Sequence, residues 1–544
     1  MSAASSPTTE PSGSAKPAKR RGLRREHAWV STTYFAEGYP YAIVNNLADI
    51  LFKELGASLQ VVGLTSLFHL PWNLKFLWGP FVDDYETKRR WLVVTELVIT
   101  AVIVILGLLV ATAELTLAPL AAGFLVLALL SATHDIAIDG FYLEVLDERD
   151  QSTFVGYRAA AYRIAVLVVS GPLVAVCALL GWTLGLLLAA AAMALLFATH
   201  AWLLPRTERR QRPARELARL ASWRSLPFLL AAGLLFMLEY WWALGTELSF
   251  AWRGLERAAP WVAKIGLGGW IGLGLLAALL SALALLPRLL RRLTAARERG
   301  QLSDYATSFV SFLDQPKIGV MLAFVVLFRT GESFLQKMRW PFFDDAVGLE
   351  LEFYGLAHGT IGVLASFVAT IIGGRLIARD GLRRWIWPFV LAQNVLNLLY
   401  MGLALAPDPS AISGLVLTAV ITAEHFGAGL GTAVFMVYLM RTCDPHHTAG
   451  HFAIVSALMS VSFTVAGVSS GFLADALGFA SYFGFTFLAT VPGMVLIWFV
   501  PHLDGREDGR EDGREDGRED GREDGREGVR EDAREGGSEA SISE

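Results

Sequence analysis

Apolar residues in this chain run in blocks of about twenty or more, interrupted by short charged loops, and a block of that length crosses the ~30 Å hydrocarbon core of a bilayer as a helix. Six blocks fall first, at 28–51, 59–82, 91–112, 117–146, 154–180 and 182–204. Two more follow at 224–250 and 261–287, and a last six at 317–345, 354–378, 384–407, 410–441, 448–475 and 477–501. The pattern predicts an all-α polytopic membrane protein of about fourteen spans, organised as 28–204, an inserted region 205–316 with two helices, and 317–501. Composition agrees: 54% of residues are hydrophobic and 18% charged, which excludes an ordinary soluble globule.

Charge placement orients the spans. Lys16, Lys19, Arg20, Arg21, Arg24 and Arg25 precede the first span, and basic loops follow the sixth (Arg206 to Arg219) and the inserted pair (Arg288 to Arg299). By the positive-inside rule both termini are expected in the cytoplasm. Residues 1–27 and the Gly-Arg-Glu-Asp repeats of 502–544 lack the apolar residues needed for a core and are expected to be disordered extensions. Two cysteines, Cys177 and Cys443, supply neither a disulfide framework nor a metal cluster. The expectation is therefore no metal, no cofactor and no nucleic-acid partner.

The costliest residues lie inside the fourth block, where SATHDIAIDGFYLEVL places His134, Asp135 and Asp139 in a span. Asp135 and Asp139 are one helical turn apart, so both carboxylates share a face. Each charged Asp at mid-span costs roughly 2.5–3.5 kcal/mol on insertion scales, so this face should meet a cavity or a cation. Arg163, in the fifth span, is the expected counter-ion. Further polar stripes occur in the first span (Tyr34, Glu37, Tyr41, Asn45), in the first of the last six (Arg329, Glu332, Gln336) and in the fourth of the last six (Glu424, His425). A structural ion pair between helices is the alternative for any one of them. Gly427 with Gly431, and Gly467 with Gly471, are read as close helix packing, and His69 with Pro71 as a kink.

The halves look duplicated. Gly79 to Trp91 reads GPFVDDYETKRRW and Gly373 to Trp385 reads GGRLIARDGLRRW, at nearly the offset that separates His134 from His425. A parallel repeat of six helices is the organisation of major facilitator transporters. The loop carrying Asp83, Asp84, Arg89 and Arg90 then reads as a cytoplasmic gate, with Arg383 and Arg384 in its second copy. In such a duplicated transporter the first, fourth, seventh and tenth core helices line a central cavity.

Several stretches together resemble the AmpG-type muropeptide permeases of the peptide and acetyl-CoA transporter branch: YFAEGYPYAI at Tyr34–Ile43, LPWNLKFLWGPFVD at Leu70–Asp83, HDIAIDGFYLEVL at His134–Leu146, AYRIAVLVVSGP at Ala161–Pro172 and EHFGAGLGTAVFMVYLM at Glu424–Met440. The resemblance implies proton-driven import of anhydromuropeptides across the bacterial inner membrane, with two extra helices between the halves. It also implies that Asp135 and Asp139 match the paired acids of the family, Arg163 its fifth-span arginine and Glu332 its acid in the seventh core span. His134 and His425 depart from the usual Gln and Asn. Gln336, Lys337, Arg339 and Trp340 stand where the family has small and Thr residues, which would alter what a cavity accepts. The reading is a proton-coupled secondary transporter of anhydromuropeptides or a related anionic sugar or peptide solute. Proton coupling falls to Asp135, Asp139, Glu37 and Glu332, and the cavity to Tyr34, His134, Arg163, Arg329, Gln336, Lys337, Glu424 and His425. A different solute, a non-transporting sensor and an intramembrane enzyme are the alternatives. No nucleophile or metal cluster of the spacing an enzyme needs is present.

Overall fold

The computed structural model describes residues 25–75, 78–112, 117–206, 212–213, 299, 310–443 and 448–504, apart from some side chains within those helices. Apart from residues 25–27, which open the first helix, and 502–504, the terminal extensions lie outside the described residues, as does the proposed inserted pair at 224–287. Within them the chain forms helical passages that we number α1 (25–54), α2 (59–84), α3 (Lys88–Val110), α4 (Leu117–Val145), α5 (148–180), α6 (Trp182–Leu203), α7 (Ile318–Val347), α8 (Leu351–Asp380), α9 (Leu382–Ala404), α10 (Gly414–Thr442), α11 (448–477) and α12 (479–496). Among the described residues six passages fall up to Leu203 and six from Ile318 onward.

Nine described helices are long and apolar enough to cross a membrane by length and composition alone. The first two passages miss that standard for a physical reason. α1 carries Pro40 and passes through a π turn at Ile43–Leu47, and α2 passes through a 3-10 turn at Thr65–His69 before Pro71. Proline removes a backbone donor, so the ladder shifts register there. The kink expected at His69 and Pro71 is this turn. α11 and α12 run together as one helix bent at Gly478, whose φ of 72° belongs to the left-handed region. Outward faces are apolar, with Leu195, Leu415, Trp202 and Trp498 among the most exposed side chains, as lipid-facing helices require.

The halves meet at the end that carries Glu54 of α1 and Val347 of α7. Lys53 pairs with Asp344 at 3.3 Å and Asp345 at 2.5 Å, and Lys337 with Asp49 at 3.5 Å while donating to Thr65 Oγ1 at 2.6 Å. Asn73 of α2 donates to Thr464 of α11 at 2.9 Å. The π segments of α5 (Val169–Leu173) and α8 (Gly355–Gly362) press together so closely that a Cβ on Gly359 would lie 1.7 Å from the Ser170 carbonyl oxygen. The glycine pairs read as packing positions behave as such: Gly427 and Gly431 seat α10 on α9, and Gly467 and Gly471 seat α11 on α2.

Candidate functional site

Within the first half, charged side chains of the spans are partly exposed. Asp139 and Arg158 side chains are each 36% exposed and Lys75 37%, although all three stand on helices inside the bundle. Charged groups in a span are tolerated where they face a cavity or one another rather than lipid.

One wall is an acidic cluster. α4 presents Asp135 and Asp139 one turn apart, and α1 brings Glu37 against them, so that one carboxylate oxygen of each lies within 4.8 Å of the others. Two cations answer three acids. Lys75 Nζ of α2 lies 2.6 Å from Asp135 Oδ2, and Arg158 Nη2 of α5 lies 2.7 Å from Asp139 Oδ1. Tyr34 donates its hydroxyl to the same Asp139 oxygen at 2.9 Å, and Arg158 stacks 4.5 Å above the Tyr34 ring. Glu37 Oε2 is buried without a hydrogen-bond partner. Three carboxylates this close are a set that could ligate a cation, but the ammonium and guanidinium groups already engage the oxygens of two of them.

The counter-ions are therefore Lys75 and Arg158, not Arg163. Arg158 and Arg163 are five residues apart on α5, which turns their side chains about 140° from each other. Arg163 instead faces the other half, with its guanidinium carbon 5.9 Å from the Phe367 ring of α8.

The opposite wall is built on α7. Arg329 grips Glu332 through two bonds, at 3.1 and 2.6 Å, and Glu332 also accepts from Gln336 at 2.8 Å and Gln393 at 3.1 Å. Glu332 is thus fully engaged. Deeper in the half, Arg339 pairs with Glu424 at 3.0 Å and meets His358 Nδ1 at 2.9 Å, while His425 Nδ1 lies 2.9 Å from Glu424. The side chains that sequence comparison placed in the cavity have structural partners. Lys337 and Arg339, each about 3% exposed, are held by Asp49 and Glu424, and the Trp340 ring packs on Tyr354 at 4.7 Å. His358, which closes this network, was not singled out in the sequence.

His134 does not face the cavity either. Its neighbour Asp135 does, and a 100° turn per residue sends His134 outward toward α3 and α6. There Glu96 Oε1 meets His134 Nε2 at 3.3 Å and His200 Nδ1 at 2.6 Å, all three fully buried. Glu96 was legible as the lone acid of an apolar block, and His200 as a polar residue in another. Glu96→Gln is expected to lower stability by about 1–3 kcal/mol, because it leaves a buried imidazole facing an amide donor. The thermal midpoint of the purified full chain reads this, and transport per folded molecule should stay near wild type.

The paired basic loops make contacts within their own halves. Arg89 donates to the Ala201 carbonyl at 2.7 Å, Arg90 pairs with Glu86 at 2.8 Å, and Arg383 pairs with Asp504. Asp380, beside the second loop, is taken by Arg379 at 3.0 Å and Trp385 at 2.9 Å. The side chains of Asp83 and Asp84 lie outside the described set. Arg384 has no ion pair among the described residues.

Comparison with known proteins fits this geometry. The Major Facilitator Superfamily profile matches residues 320–535, and that of Acetyl-coenzyme A transporter 1 matches 30–165. Crystal structures of a POT family transporter, one with 5-aminolevulinic acid and one with a thioalcohol-conjugated peptide, superpose with TM-scores of 0.60 at 13% identity, over 88% of this chain and 96% of theirs. The chain has the major facilitator fold. Among sequence relatives, the anhydromuropeptide permease of Escherichia coli K12 is 24% identical over 468 residues, 85% of this chain and 77% of its own length. A putative transporter AmpG 4 of Rickettsia conorii is 18% identical over 471 residues, 85% of this chain and 93% of its own. With permeases as its relatives and this fold, the chain is a multi-pass secondary transporter that carries a small-molecule solute.

Proposed function

We propose that this transporter is a proton-coupled importer of anhydromuropeptides, or of a closely related anionic sugar–peptide solute, working by alternating access between halves 28–204 and 317–501. The observation that carries the coupling is the count of charges at the acidic cluster. Asp135 and Asp139 each have a cation, and Glu37 has a buried oxygen with no partner. One proton on the cluster brings three acids and two bases to neutrality, and a neutral cluster is held in an occluded, water-poor state at far lower cost than a charged one.

Positive-inside topology puts the Glu54–Val347 end on the outer face. On that reading the Lys53, Lys337 and Gly359 contacts are the closed outer gate, and the described conformation faces inward. Arg89, Arg90, Arg383 and Arg384 then belong to an inner gate in its open state, which accords with pairing inside each half. The solute assignment follows the Escherichia coli relative. It gains support from the burial of Lys337, Arg339 and Trp340, since the residues that depart from the family are engaged in ion pairs and packing and leave the cavity surface to others.

Proteoliposomes containing the full chain test both parts. Labelled anhydromuropeptide should accumulate when the outside is made acidic and merely equilibrate without a gradient. Accumulation driven by sodium alone would replace the proton with a metal cation at the same carboxylates. No uptake under any gradient would remove the solute and leave the architecture.

A further inference from the structure

Lys53, Lys75, Arg158, Arg329, Lys337 and Arg339 each have a carboxylate within ion-pair distance. Arg163 does not, among the described residues. Among the described residues the charge that acts on it is a like one, that of Arg329 on the opposite half, and none of their acids offsets it. Aromatic rings stand beside it: Phe367 of α8 at 5.9 Å, and Tyr162 next to it in sequence, whose ring lies 5.7 Å from that of Tyr41. Arg329 spends its guanidinium on Glu332, so the uncompensated positive charge of this region resides on Arg163. A guanidinium held half-buried without an acid is costly unless an anion arrives to join it. Its five donors in a planar fork fit a carboxylate bidentately.

We propose that Arg163 is the anion-binding residue of the cavity and that it receives a carboxylate of the transported solute at the junction of the halves, opposite Arg329. The assignment rests on the transporter reading and deepens it to a class of ligand, an organic carboxylate.

Removing Arg163 strands no acid, so Arg163→Gln should fold and keep its thermal midpoint. The test is calorimetric binding to the full chain in nanodiscs, using anhydromuropeptide with free carboxylates and the same compound with its carboxylates amidated. Wild type should prefer the acid form by roughly tenfold or more, the range for a hydrogen-bonded charged pair. Arg163→Gln should bring the ratio near unity, and Arg163→Lys should keep part of it. An unchanged ratio in a folded Arg163→Gln overturns the proposal. If wild type binds neither form, the muropeptide reading falls, and trialanine is then compared with its C-terminal amide. A preference for the acid that Arg163→Gln abolishes upholds the carboxylate site, and no preference overturns it.

Discussion

Replacing Glu37 by glutamine is expected to abolish accumulation driven by a proton gradient while leaving solute exchange between equilibrated compartments measurable. Glutamine reproduces the neutral form of the side chain, so the cluster keeps Asp135 with Lys75 and Asp139 with Arg158 and carries no net charge. Such a carrier can cross between states loaded or empty and has nothing to release. Asp139→Asn should behave differently. It leaves Arg158 without its acid and Tyr34 without its acceptor, so both exchange and accumulation should drop to background. The pair of results separates the group that carries the proton from the group that holds the cation. If Glu37→Gln still concentrates solute at the wild-type level, coupling does not pass through Glu37.

The second large effect is on stability. Arg339 and Glu424 are each almost completely buried, 3.0 Å apart, with His358 and the Tyr400 ring closing around the guanidinium. Arg339→Met leaves a buried carboxylate without its cation and should cost about 3–5 kcal/mol, the usual penalty for breaking a buried pair from one side. Adding Glu424→Leu removes the stranded charge, and the double variant should regain most of the lost stability. Thermal unfolding of the four members of the cycle measures the coupling. A double variant no more stable than Arg339→Met would mean that packing, rather than charge compensation, sets the role of this pair. The distinction matters for specificity. It decides whether Arg339 is available to a solute, and the structure has it engaged with Glu424.

The order of the helices was legible in the sequence because a bilayer imposes length and apolarity on every spanning segment and leaves backbone groups no partners but their own. The costly residues could be listed helix by helix as well: Glu37, Asp135 and Asp139 come together in one cluster, and Arg329 pairs with Glu332. Their pairing was much less legible. A linear pattern says which helix carries a charge, whereas the partner depends on the rotation and kink of each helix. Arg158 and Arg163 illustrate this, since five positions along α5 decide between the acidic cluster and the opposite half. His134 and Asp135 differ by one position and face different neighbours. Lys337 and Arg339 sit in a polar stretch that suggested a solute, and the acids around them, Asp49 of the other half and Glu424 of α10, engage both cations in ion pairs. Partners such as Lys75, Glu96, His200 and His358 stood out only as single polar residues in apolar blocks. Such solitary residues most deserve pairing hypotheses in a chain of this kind.

Solute-induced proton movement tests the central claim most directly. Full-length protein is reconstituted in liposomes holding a trapped pH dye, and anhydromuropeptide is added outside with no gradient imposed. The account predicts acidification of the lumen with wild type and none with Glu37→Gln. Uptake of solute by wild type without any acidification, or equal acidification by Glu37→Gln, would contradict it.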